Sequence, residues 1–196
     1  MTTSLPRAAM RPRSINRWIR TTFLAPYLRS IPSHQMTLDL ACGWGFSFGI
    51  NPNFYGVELD DECVRFCQER GFKVKKANLL EQLPFPIDFF DTCFTHDVLE
   101  HFEPEDLDLI FINVRRVLRP GGIFMNIIPN RKGYDYGLRE DIGHRHFATP
   151  GEIEKVARRT GFFYERAYSS PVPEIMNSWF THAKYVTLCR KPGSRL

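Results

Sequence analysis

The chain alternates short apolar runs of strand type with stretches of helical spacing, and this alternation limits its possible folds more than any other feature. The strand-like runs lie at residues 36–41, 54–59, 72–77, 91–95, 123–128, 162–168 and 184–189. Helical spacing or helix-capping residues mark residues 60–71, a stretch from about Val98, residues 105–118 and the stretch from Thr149 to Gly161. Strands that alternate with helices predict a parallel α/β sheet with helices on both faces.

The position of a functional site follows from this fold class. Ligands of open parallel sheets bind beyond the carboxyl ends of the strands. We therefore expect the chemistry just after residues 41, 58, 77, 95 and 128, which is where the sequence becomes unusual.

The first of these places is a turn of small residues. The run from Asp39 to Gly45 carries Ala41, Gly43 and Gly45 at alternate positions, and small residues let the backbone approach a ligand closely. Glu58 ends the next strand, 19 residues after Asp39. An acid at about that spacing binds the ribose diol in dinucleotide-type sites. Asp60 is better placed to cap the following helix, which leaves Glu58 for a ribose.

Several ordered motifs, taken together, resemble the class I S-adenosylmethionine-dependent methyltransferases. They include the glycine turn, Gly56–Asp60, Val98–His101 and Leu118–Gly122. A nicotinamide site would need a further glycine after the turn, and residue 46 is Phe. The resemblance covers residues 36–191 and implies a Rossmann-like, mostly parallel sheet of seven strands, with the last strand antiparallel and inserted beside the fifth. It departs from the family in two respects. The short interval from Gly45 to Glu58 predicts a short first helix, and the small size of the chain leaves little sequence for a substrate domain.

The resemblance also implies roles for individual residues. Asp39 would hold the methionine ammonium of S-adenosylmethionine, Glu58 would bind the ribose hydroxyls, and His96 would face the methionine and the methyl group. The remaining cofactor residues would line the methionine, ribose or adenine; they are Ala41, Gly43, Gly45, Leu59, Asn78 and Leu79.

The methyl acceptor is less well defined by the sequence. His144 and His146 lie in the loop where the family builds its acceptor site, so they are the candidate catalytic bases. Metal ligation is not predicted, because no third ligand with suitable spacing accompanies them. We expect a small-molecule acceptor, methylated at oxygen in preference to nitrogen or carbon. The alternatives are a non-catalytic binding protein of this fold and an RNA-associated methyltransferase.

Charge and cysteine content bear on the domains and partners. Residues 1–38 contain six arginines and no acid, whereas the chain as a whole has a net charge of +4. We divide the chain into a basic N-terminal segment with an amphipathic cap helix, residues 1–35, and a methyltransferase domain, residues 36–196. A membrane-surface helix and an organelle transit peptide are alternative interpretations of the basic segment. The domain itself is not basic, which argues against a nucleic-acid partner.

Five cysteines without a CxxC pair predict reduced thiols in a cytoplasmic protein, and no apolar run is long enough to span a membrane.

Overall fold

A computed structural model describes residues 25–129, 145–146, 148–170 and 184–193 of the chain. The strands are β1 (Thr37–Leu40), β2 (Tyr55–Glu58), β3 (Lys73–Lys76), β4 (Phe90–His96), β5 (Leu118–Pro129), β6 (Phe163–Ser170) and β7 (Lys184–Arg190). The helices are α1 (Asp61–Gln68), α2 (Leu107–Val117) and α3 (Pro150–Arg159). All seven strands predicted from the sequence are present.

The strands form one seven-stranded sheet with the order β3-β2-β1-β4-β5-β7-β6. The pairs among β1 to β5 are parallel, and β7 runs antiparallel to both of its neighbours, β5 and β6. The expected Rossmann-like sheet, with an antiparallel last strand beside the fifth, is confirmed. The carboxyl ends of β1, β2 and β4 consequently meet at one edge of the sheet.

Helices cover both faces of the sheet, as the alternating pattern predicts. On one face, Ile110 and Phe111 of α2 and Ile153 of α3 pack with Phe124 of β5 in the larger core. On the other face, Val64 and Cys67 of α1 pack with Phe94 of β4 and Ile127 of β5 in a second core. Burial of these side chains drives the layers together and places the strand ends beside the helix termini.

Residues 25–28 are the described part of the expected N-terminal cap helix. They are helical, and Tyr27 and Leu28 are buried in the second core. The rest of the predicted cap helix lies outside the described residues. Within the described ranges, no helix is long and apolar enough to cross a bilayer.

Three local predictions need adjustment. The short first helix is reduced to a single 3-10 turn, Ser47–Gly49. The helical stretch expected from Val98 consists of two further 3-10 turns, Leu99–His101 and Pro104–Asp106.

The start of the fifth strand also differs, because β5 begins at Leu118 and not at Ile123. Leu118 pairs with Phe90 and Ile123 with Thr92, so the intervening Pro-Gly-Gly segment bulges out of the ladder. The helix α2 ends at Val117, shortly before the Pro-Gly-Gly segment, as predicted. The segment itself lies within β5 and not before that strand.

Candidate functional site

The turn after β1 has a backbone that favours glycine. Ala41, Gly43 and Gly45 have φ angles of 59°, 53° and 72°, all in the left-handed region. A Cβ on Gly45 would lie 2.9 Å from the Sγ of Cys67, whereas a Cβ on Gly43 would meet nothing within 4 Å. The turn therefore packs against α1 at Gly45 and is open at Gly43, where a ligand can approach the backbone closely.

Glu58 is the acid that the sequence predicts at the end of β2, and it is almost fully buried, with 2% exposure. Its Oε2 accepts the Gly43 N–H at 2.8 Å, and its Oε1 accepts the N–H groups of Leu59 and Asp60 at 2.8 and 3.0 Å. These bonds hold the carboxylate against the glycine turn. The Asp60 side chain caps α1 by accepting the Cys63 N–H at 2.9 Å, as predicted.

Asp39 is a second buried acid beside the same turn. The Ser47 hydroxyl donates to its Oδ2 at 2.5 Å. Burial raises the pKa of Asp39 to about 8, the bond from Ser47 opposes that rise, and the charge of Glu58 adds to it. A cation bound next to Asp39 would stabilise its ionised form. No sequence pattern indicated Ser47, because its bond to Asp39 depends on the 3-10 turn Ser47–Gly49.

The residues predicted to line the adenine have different environments. Leu59 is half exposed, which leaves its side chain accessible to a ligand. The Oδ1 of Asn78 accepts the Leu80 N–H at 3.0 Å and so shapes the turn after β3. Leu79 is buried in the larger core, and its carbonyl accepts from Asn113 of α2 at 3.0 Å. The Leu79 side chain is therefore part of the core beneath this edge of the sheet.

The carboxyl end of β4 carries His96 and Asp97. Asp97 has a φ of 53°, again in the left-handed region. Lys184, the first residue of β7, bonds to Asp97 Oδ2 and lies 3.1 Å from His96 Nε2 through its Nζ. The sequence reasoning missed Lys184, because periodicity places it on the last strand without showing that this strand lies next to β5.

Of the two candidate bases, His146 is described and His144 lies outside the described residues. The His146 side chain is 14% exposed, and its Nε2 is 3.5 Å from the Oε1 of Glu152, the acid in the capping box of α3. Its main-chain N–H points to the carbonyl of Glu100 at 3.3 Å. The structure thus brings His146 next to the segment that follows β4.

Glu100, in the motif Val98–His101, is a further buried acid near this loop. It is 1% exposed, and its carbonyl also accepts the Arg145 N–H at 2.8 Å. Burial raises the pKa of Glu100 well above its usual range, and the charge of Asp97 acts in the same direction. Among the described residues there is no group of three metal-ligating side chains.

Part of the chain is similar to known sequences. A family model described as a methyltransferase domain matches residues 38–126. A tRNA (carboxymethyluridine(34)-5-O)-methyltransferase of Arabidopsis thaliana is 30% identical over 115 residues, which are 57% of this chain and 28% of that protein. A cyclopropane-fatty-acyl-phospholipid synthase of Escherichia coli is 31% identical over 93 residues, which are 45% of this chain and 24% of that protein. The matches thus span about a quarter of each relative.

Solved structures agree on the fold. A SAM-dependent methyltransferase from Archaeoglobus fulgidus superposes with a TM-score of 0.75 at 17% identity, covering 94% of this chain and 97% of the other. A SAM-dependent methyltransferase from Thermotoga maritima gives a TM-score of 0.70 at 18% identity, covering 89% and 90%. At these identities the likeness concerns the arrangement of strands and helices.

Proposed function

We propose that this chain is a class I S-adenosylmethionine-dependent methyltransferase and that it transfers a methyl group to an oxygen atom of a small-molecule acceptor, a proposal that the motifs, the methyltransferase family match over residues 38–126 and the fold support. The observation that carries the proposal is the pair of buried carboxyl groups, Asp39 and Glu58, beside the open glycine turn, where Glu58 accepts the Gly43 N–H and Asp39 accepts from Ser47. Such a pair fits one molecule that carries both a cation and a diol.

The described residues fit S-adenosylmethionine. Glu58 is held with its carboxylate at the turn, and its Oε2, which accepts the Gly43 N–H, would also accept a ribose hydroxyl. Asp39, whose pKa burial raises to about 8, would ionise beside the methionine ammonium. Gly43 and Gly45 would line the methionine and ribose, and the exposed Leu59 would pack against the adenine.

The cofactor supplies a methyl group on a positively charged sulfur, which is an excellent leaving group. The protein has to align the acceptor oxygen with the methyl carbon and the sulfur, and positioning of this kind is worth about 7–11 kcal/mol. In the displacement, the acceptor oxygen forms a bond to carbon while the carbon–sulfur bond breaks and its electron pair returns to sulfur. His96 and Asp97, at the carboxyl end of β4, would face this reaction centre.

An acceptor with a proton of high pKa also needs a base. His146 and His144 are the residues we assign to that role. His146 is suited to it because its Nε2 faces Glu152, and such a carboxylate orients the ring and stabilises the charge that a base acquires. A carboxylic acid acceptor would be ionised already and would need no base.

RNA is the second candidate acceptor. Four of the related proteins are named tRNA (carboxymethyluridine(34)-5-O)-methyltransferases, from a plant, a frog and two mammals. The six arginines of residues 1–38 would supply phosphate contacts, with residues 36–196 as the catalytic domain. In this case the oxygen acceptor would belong to a nucleoside and not to a free small molecule.

Methyl-labelled S-adenosylmethionine distinguishes these candidates. The protein is incubated with the labelled donor and either a small-molecule extract or total tRNA, and label is counted in the acid-soluble and the nuclease-sensitive acid-insoluble fractions. After the unreacted cationic donor has been removed by cation exchange, we expect label in a product in the acid-soluble fraction. Label confined to tRNA, lost at high salt and on deletion of residues 1–24, would replace the small-molecule proposal with the RNA candidate. Cofactor binding without transfer to either pool would favour the non-catalytic alternative.

A further inference from the structure

The ammonium group of Lys184 lies among residues that are distant from it in the chain. Lys184 pairs in register with Pro129 at the end of β5, and its side chain reaches past β5 to the residues that follow β4. There Nζ bonds to Asp97 Oδ2 and lies 3.1 Å from His96 Nε2. The Lys184 side chain is only 20% exposed, so these contacts are partly shielded from water. Shielded contacts to a charged group are stronger than those on an open surface.

This contact determines where the proton of His96 lies. An ammonium group has three donors and no acceptor, so His96 Nε2 accepts from Lys184. The ring is then the neutral imidazole with its proton on Nδ1. Since Nε2 is occupied by Lys184, His96 is not available to take a proton from an acceptor through that nitrogen. Tyr27 packs at an angle to the same ring, with centroids 6.4 Å apart.

The same ammonium holds Asp97. The Asp97 backbone has a left-handed φ of 53°, which costs free energy for any residue except glycine, although aspartate tolerates it better than most. Its main-chain N–H donates to the Ile127 carbonyl at 3.0 Å, and Lys184 fixes its carboxylate. Asp97 is therefore held from β5 through its backbone and from β7 through its side chain.

We infer that Lys184 is a positioning residue of the methyl-donor site, which fixes the tautomer of His96 and the carboxylate of Asp97. This inference rests on the proposed function, which places the methionine end of the donor at the carboxyl end of β4. A neutral His96 avoids repulsion of a positively charged sulfur, and Asp97 offers a carboxylate whose charge Lys184 balances. Lys184 itself acts through these two residues.

The tautomer can be measured by nitrogen NMR of protein with labelled histidines, using Lys184→Met, Lys184→Arg and the exposed control Lys155→Met. The chain has six histidines, so His96→Gln identifies the His96 signals. We expect an unprotonated Nε2 and a protonated Nδ1 in the wild type, in Lys184→Arg and in the control. Lys184→Met should lose this signature, because its thioether cannot donate. Unchanged His96 signals in Lys184→Met would overturn the inference.

Calorimetric titration with S-adenosylhomocysteine tests the link to the donor site. Lys184→Met should weaken binding about tenfold, the size of one hydrogen bond to a charged group, and Lys184→Arg should recover most of the loss. Melting temperatures without ligand check that the variants are folded. Equal affinity in Lys184→Met and the control would contradict the positioning role. A wild type that binds no S-adenosylhomocysteine would instead overturn the proposed function, even if the His96 signals respond to the substitution.

Discussion

Asp39 shows how a single buried acid links stability to pH. Burial raises its pKa to about 8 in the folded protein, from an ordinary value of 3.8. The folded state therefore holds a proton that the unfolded chain has lost above about pH 4. Proton binding by Asp39 therefore favours the folded state. This contribution is complete below the unfolded pKa of 3.8, and it is lost as the pH rises through the folded pKa of about 8.

The first prediction follows from that sign. Between pH 5 and 8, without ligand, the wild type should lose stability by up to about 1.4 kcal/mol per pH unit through Asp39 alone. Asp39→Asn cannot titrate and should show a flatter dependence, measured by urea unfolding at each pH. If the two proteins have the same slope, Asp39 is already ionised in the folded state.

Residues at strand ends were the most predictable part of the site. The position of Glu58 beside the glycine turn and the capping role of Asp60 could be predicted from spacing, because an acid after a strand and a cap before a helix have local signatures. Ser47 and Lys184 had no such signature. Ser47 reaches Asp39 through a 3-10 turn, and Lys184 reaches Asp97 through strand insertion, so both contacts depend on tertiary structure.

At the scale of elements, the turn after β1 carries both the binding geometry and a packing constraint. Gly45 has a left-handed φ and lies over the thiol of Cys67, whereas Gly43 has a left-handed φ in open space. Ala41 adopts the same region with a Cβ, which is strained. Substitutions at these three positions therefore distinguish the free-energy cost of a left-handed backbone from the cost of a steric clash.

The second prediction uses this contrast. Gly43→Ala should cost about 1–2 kcal/mol, the price of a left-handed alanine. Gly45→Ala should cost more, because its Cβ would lie 2.9 Å from Cys67 Sγ and 3.0 Å from the Phe48 ring. Ala41→Gly should stabilise the protein by up to about 1 kcal/mol. Urea unfolding measures all three, and a Gly45→Ala variant as stable as Gly43→Ala would show that the turn relaxes freely.

The elements themselves were predictable where the pattern was local. The capping box of Thr149 and Glu152 at the start of α3 and the cap of Asp60 at the start of α1 are readable from sequence. The segment after Val98 was not, because a buried Glu100 and two 3-10 turns replace a regular helix there. The Glu100 carbonyl in this segment instead accepts the N–H groups of Arg145 and His146.

For the whole molecule, the alternation of strands and helices was enough to predict layers, but not the strand order. Insertion of β7 between β5 and β6 came from the family resemblance and has no signature in periodicity. The insertion matters for function because it brings Lys184 to the end of β4. The order of strands also brings the carboxyl ends of β1, β2 and β4, with Asp39, Glu58 and His96, to one edge of the sheet, where we propose that the methyl donor binds.

The most direct test of this account is calorimetric binding of S-adenosylhomocysteine to the wild type and to Glu58→Gln, with Glu69→Gln, an exposed acid just after α1, as the matched control. Glutamine keeps the size of Glu58 but loses an acceptor oxygen, and it turns an amide toward N–H groups that Glu58 now accepts. Melting temperatures without ligand first establish that each variant is folded. We predict saturable binding to the wild type and the control, and at least about tenfold weaker binding to Glu58→Gln. No binding to the wild type at millimolar ligand, or equal binding to Glu58→Gln, would contradict the proposal that Glu58 belongs to an S-adenosylmethionine site.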